Sequence, residues 1–224
     1  MSTIDEFEIE QELLVFLRNQ NILTVAQRGV TTATDNFTAS AGDTFVKVSN
    51  TNFKNVRNVT VQTVAQTHGT EYTVTYESDT ASDIGKINFV TALSLNDVVA
   101  VQYDYGSTDR IYNDFPRVDL NISSYPRISA EIISKSSTEA GLGGQSQLSD
   151  LMFAVTVYEN GKKGIDDKLK TIRTALQTGA KGFYNFGYIQ PMNTGRIIHD
   201  PNRADKIDQK TDDYKIPFEL EVNS

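Results

Sequence analysis

Residues 151–158 read LMFAVTVY, and residues 164–178 read GIDDKLKTIRTALQT. The first stretch alternates, with Leu151, Phe153, Val155 and Val157 on one side and Met152, Ala154, Thr156 and Tyr158 on the other. Both sides carry apolar groups, which predicts a strand at the centre of a sheet. The second stretch places Ile165, Leu169, Ile172 and Leu176 in one stripe at steps of four, three and four, the period of a helix with one buried face. Asp166 and Asp167 suit the positive end of that helix, and Gly179 is a natural stop. Asn160-Gly161 turns the chain between them. A two-sided strand followed by a one-sided helix requires at least two layers.

Towards the C-terminus the pattern predicts a strand near 183–190 and then a polar loop from Asn193 to Asp213 containing Pro201. A closing strand follows, in which Ile216, Phe218, Leu220 and Val222 alternate with Lys215, Glu219 and Glu221. Towards the N-terminus, Arg127–Ile133 reads as a strand with Ile128, Ala130 and Ile132 on one face. Residues 134–149, rich in Ser, Thr, Gly and Gln around Gly141-Leu142-Gly143-Gly144, read as a flexible loop. Phe115-Pro116-Arg117-Val118 starts an extended stretch. A helix is predicted over 3–19, opened by a capping box of Thr3 and Glu6 and carrying Ile4, Phe7, Leu13, Leu14, Phe16 and Leu17.

Residues 22–110 have another character. They are rich in Thr, Val, Asn and Tyr, and no helical period stands out. Alternation places Tyr72, Val74 and Tyr76 together, and likewise Val99, Val101, Tyr103 and Tyr105. Further strands are expected at 85–89, near 44–48 and over 56–64. The expected fold class is α+β: a mixed or antiparallel sheet with two helices on one face, formed by 1–21 and 111–224, with an all-β module inserted over 22–110.

The 224 residues are 38% hydrophobic and 22% charged, which suits a globular chain with a core. A net charge of −8 disfavours free nucleic-acid binding, because an acidic surface repels phosphates. With no cysteine, disulfides, thiolate metal sites and cysteine nucleophiles are excluded. The first residues are acidic and do not resemble a signal peptide, and no apolar run reaches the roughly 18 residues of a membrane span. His68 and His199 lack metal-ligand spacing, and Asp208, Asp212 and Asp213 do not follow a calcium-loop register. Gly141–Gly144 lacks the Lys-Thr of a phosphate loop. No catalytic residue, metal or cofactor is therefore expected, and the chain does not read as an enzyme.

Phe115-Pro116-Arg117, Tyr125-Pro126-Arg127-Ile128, the serines of 134–138 and Gly141-Leu142-Gly143-Gly144, followed by a strand, the 164–178 helix and a closing strand pair, resemble tail-terminator and tail-completion proteins of tailed viruses. The likeness covers 1–20 and 111–224. Residues 71–105 resemble a small β-module of several viral structural proteins, which the compact terminator fold lacks. The resemblance implies a virion protein of the tail or neck, assembled in the host cytoplasm. It implies a homo-oligomeric, hexameric ring on the last tail-tube ring that stops polymerisation and faces a neck or head-completion protein. Genomic DNA would pass through the lumen without specific binding, and no membrane is involved. The candidate interface is Gly141, Leu142, Gly143 and Gly144 for one contact and Arg196 and Arg203 for another. Alternatives are another neck or tail component, such as a head-closure or adaptor ring or a tail-tube subunit, and a carbohydrate-binding module using the tyrosines of 22–110.

Overall fold

The computed structural model describes residues 6–76, 84–113, 125–140, 146–179, 189–199 and 207–221. In chain order the elements are helix α1 (Glu6–Asn19), helix α2 (Val25–Arg28), and strands β1 (Thr31–Thr38), β2 (Phe45–Lys47), β3 (Phe53–Val61), β4 (Val64–Ala65), β5 (Tyr72–Tyr76), β6 (Gly85–Phe89), β7 (Val98–Tyr105), β8 (Ile111–Tyr112), β9 (Arg127–Ala140) and β10 (Ser146–Glu159). Helix α3 (Lys162–Gly179) and strands β11 (Gln190–Thr194), β12 (Ile198–His199) and β13 (Asp208–Glu221) complete the chain. The class is α+β, with three mostly antiparallel sheets. The chain forms two compact units, one of Met1–Ile22 with Arg110–Ser224 and one of Leu23–Asp109.

The first unit is built on β10. Its sheet runs β11-β13-β10-β9-β8, with β12 also paired to β13, so β10 is central. Directly opposed residues share a face. Phe153, Val155 and Val157 therefore lie with Ile132, Ala130 and Ile128 of β9, and Leu151 and Phe153 lie with Ile216 and Tyr214 of β13. Helix α3 packs over β10 and β13 with Ile165, Leu169, Ile172 and Leu176 buried, and α1 packs beside β8 and β9 with Leu13, Leu14 and Leu17 buried. Each such side chain contributes about 1.5–3 kcal/mol through burial. Three ion pairs hold the polar margin of α3: Lys168 to Glu159, Lys210 to Asp166 and Arg173 to Asp212. Arg18 closes α1, its Nε and Nη2 donating to the Ile111 carbonyl at 3.3 and 2.9 Å.

The second unit stacks the sheet β1-β7-β3-β4 against β2-β6-β5. Both supply its core, which includes Val46, Phe53, Val56, Val59, Tyr72, Ile87, Phe89, Val99, Val101 and Tyr103.

Several expectations need correction. Residues 134–149 were expected to be a loop, but 134–140 and 146–149 are strand, because β10 supplies ladder partners that side-chain patterning does not reveal. The expected loop Asn193–Asp213 contains the end of β11, all of β12 and the start of β13. Helix α2 was not expected, although Thr24 and Gln27 form a reciprocal capping box and Gly29 closes it with φ 78°. Strand β1, a Thr- and Asn-rich edge, was also missed. The Thr3 cap, the extended stretch at 115–118 and residues 183–188 of the expected strand lie outside the described residues.

Candidate functional site

Two exposed groups of side chains lie on opposite flanks of the first unit's sheet. The first belongs to a three-stranded arm. β10 pairs along its whole length with β13, from Ser146↔Glu221 to Glu159↔Asp208, and with β9, from Ser146↔Ala140 to Tyr158↔Arg127. A bulge between Met152 and Phe153 leaves Ile133 as the extra residue of β9, 53% exposed. Ile133, Ser134, Lys135 and Ser136 are exposed in succession. Successive strand residues point to opposite faces, so this part of β9 meets solvent on both sides. Lys215 pairs with Asp150 at 2.6 Å across the arm. β8 reaches β9 only at Ile128 and Ser129, so beyond that point β9 is the outer strand among the described residues.

The second group lies on β11 and β12. Met192 and Ile198 are 49% and 56% exposed, and Arg196 is exposed between them. The loop bearing Arg196 is pressed on β13 by Gly195, whose N–H donates to the Thr211 carbonyl at 2.7 Å; a Cβ on Gly195 would lie 2.6 Å from that oxygen. Arg173 anchors the same flank from α3. Its Nη2 donates to Asp212 Oδ2 at 2.5 Å and to Thr194 Oγ1 at 2.8 Å, and the bond to Asp212 holds the guanidinium above its usual pKa.

Of the residues expected at an interface, Arg196 is exposed on this flank, whereas Gly141, Leu142, Gly143, Gly144 and Arg203 lie outside the described residues. Ile133, Met192 and Ile198 were not anticipated. Alternation could have placed Ile133 opposite Ile132, but only the bulge makes it surplus to the ladder.

Among the described residues, the second unit holds a dense charge cluster. Arg28, with 0% of its side chain exposed, donates from Nη1 to Asp104 Oδ2 at 2.6 Å, from Nη2 to Asn55 Oδ1 at 2.8 Å and from Nε to Asp109 Oδ1 at 3.1 Å. Its Nη2 also meets Asp109 Oδ2. Asp104 accepts further bonds at Oδ1 from Arg57 Nε at 2.6 Å and Thr32 Oγ1 at 2.7 Å. Each carboxylate is already matched by guanidinium donors, so the cluster binds the fold to itself rather than presenting a reactive group.

The tyrosine platform required by carbohydrate binding is not formed by Tyr72 and Tyr103, which are buried in the second unit's core. Tyr103 donates from its hydroxyl to Asp35 Oδ2 at 2.9 Å and accepts from Asn50 Nδ2 at 2.7 Å. His68 is half-buried edge-on to Tyr72 with ring centroids 5.3 Å apart, and burial lowers its pKa. Among the described residues no group of acidic and histidine side chains is placed to hold a metal ion. No helix there is long and apolar enough to cross a membrane. Compared with known proteins, the chain matches no family model and no curated sequence.

Proposed function

We propose that the chain is a structural subunit that docks on copies of itself, edge to edge, into a closed ring at the head-proximal end of a viral tail. There the ring ends tail-tube growth and presents a surface to a neck protein, as the resemblance to tail terminators implies. A cyclic assembly needs two unlike patches on each subunit that meet head to tail. The observation that carries the reading is the pair of exposed groups on opposite flanks of one sheet, Ile133 on β9 and Met192 with Ile198 on β11 and β12. The first group carries charges of both signs, exposed Glu131 and Lys135, and the second carries exposed Arg196, for which Glu131 is an opposite charge. β9 supports the same reading: an outer strand exposed over Ile133–Ser136 gains when a neighbour covers it. The tail-tube and neck proteins are then axial partners, and DNA threads an acidic ring that neutralises few phosphates.

The test mixes two broken subunits. Ile133→Asp spoils one flank, and Met192→Asp with Ile198→Asp spoils the other. Native mass spectrometry of the wild type, alone and with tail tubes, should show a ring, and each variant alone should be monomeric. The two variants mixed should form a heterodimer, because each retains the flank the other lacks. A wild type that stays monomeric even on tail tubes, or variants that never pair, would overturn the proposal.

A further inference from the structure

We infer that the Arg28 network is a latch closing the base of the inserted unit, so that Leu23–Asp109 opens and closes as one cooperative body independently of the first unit. The unit begins at Leu23 and ends at Asp109, and Arg28 joins its first helix to its last residue. The same guanidinium holds Asp104 near the end of β7 and Asn55 near the start of β3. One side chain therefore ties together the incoming chain, the outgoing chain and two of the four strands of the larger sheet. A third strand joins through Asp104, which accepts from Thr32 of β1, and Arg57 of β3 completes the charge balance. The two chain segments also touch directly. Gly29 ends α2, and a Cβ there would come within 3.3 Å of Thr108 Oγ1.

A fully buried guanidinium tolerates no partial opening. If Asp109 moves away, Arg28 keeps a desolvated charge and loses two of its four hydrogen bonds, so Asp104 of β7 and Asn55 of β3 are left to hold it. Loss at the base is thus felt along β1, β3 and β7 together, which is the condition for a separate cooperative unit. The inference does not depend on the ring: an insertion latched at its own base keeps its fold whether or not the first unit assembles.

Hydrogen–deuterium exchange of the full chain tests it. Arg28→Met should raise exchange in β1, β3, β6 and β7 together by tenfold or more, with β10, β13 and α3 staying within about twofold of the wild type. Arg28→Lys should behave in the same way, because an ammonium lacks the planar fork that reaches Asp104, Asp109 and Asn55 at once. Asp109→Asn, which keeps the shape, should raise exchange over the same strands to a smaller degree. Complete loss of protection in Leu23–Asp109 with a native first unit also supports the latch. Changes confined to 24–30 and 104–109, or spread equally into β10 and α3, would overturn it.

Discussion

Asp104 and His68 give the second unit its dependence on pH, one through ion pairs and one through burial. Burial alone would push the Asp104 carboxyl up, but hydrogen bonds from Arg57 and Thr32 and the charges of Arg28 and Arg57 outweigh it and hold its pKa below the ordinary value of 3.8. A carboxyl depressed by folding stabilises above its unfolded pKa, and that contribution is lost as pH falls through the folded value. His68 is lowered by burial from 6.5, so the unfolded chain takes up its proton first and stability falls as pH drops below that value. Urea titrations across pH should therefore show two losses in the second unit, one setting in below 6.5 and one below 3.8. His68→Gln should remove the first and Asp104→Asn the second; an unchanged pH profile in either variant would refute its assignment. In the first unit, Gly195→Ala drives a methyl group into the Thr211 carbonyl. It should cost about 1–3 kcal/mol, read from the shift in urea midpoint at constant slope. Of these residues only His68 drew notice in the sequence. Arg28 sits in a short stretch, Leu23–Gly29, that shows no period, and its partners Asp104 and Asp109 are 76 and 81 positions away.

At the scale of elements, the sequence was legible where one side of a segment is buried and the other is not. β10 and α3 could be read because Leu151–Val157 alternates and Ile165–Leu176 repeats at helical spacing. Leu169→Ala should cost about 2–5 kcal/mol, measured by chemical denaturation, because the side chain is buried between α3 and the sheet. The arm could not be read. Ser134–Ser136 has no buried side to impose alternation, and its strand state comes from hydrogen bonds to a partner 14 to 18 residues further on, as in the pairs Ser134↔Met152 and Ser136↔Asp150. The start of β13 failed for a related reason: Asp212 is buried on the helix-covered face, where a polar pattern reads as loop until Arg173 supplies its counter-charge. In the second unit, the strand expected at 85–89 is β6, and a Cβ on its first residue, Gly85, would meet the Phe53 ring at 2.6 Å. Gly85→Ala should push Phe53 from the core and destabilise that unit by about 1–3 kcal/mol, visible as an earlier melting of its strands.

For the whole molecule, two compact units drawn from one chain mean that a mutation can loosen one without the other. The candidate interface lies entirely in the first unit, on β9, β11 and β12. Gly85→Ala should therefore loosen Leu23–Asp109 and leave self-association unchanged, and native mass spectrometry of that variant would show the same oligomer as the wild type. A loss of the oligomer would mean that the insertion belongs to the interface. The sequence showed that two regions of unlike composition share the chain; it could not show which flanks of a sheet are exposed, because that follows from strand order, and the order β11-β13-β10-β9-β8 places the last strand of the chain in the interior.

That strand order also sets a timetable for synthesis. α1 leaves the ribosome before the insertion, but the strands it packs on, β8 and β9, follow only after all of Leu23–Asp109 has been translated. At about 5–20 residues per second the delay is on the order of 4–17 s, ample for the insertion to fold beside the tunnel mouth while the amphipathic helix waits. Leu13, Leu14 and Leu17 are without their native cover for that interval, which leaves the nascent helix open to a chaperone until β8 and β9 emerge.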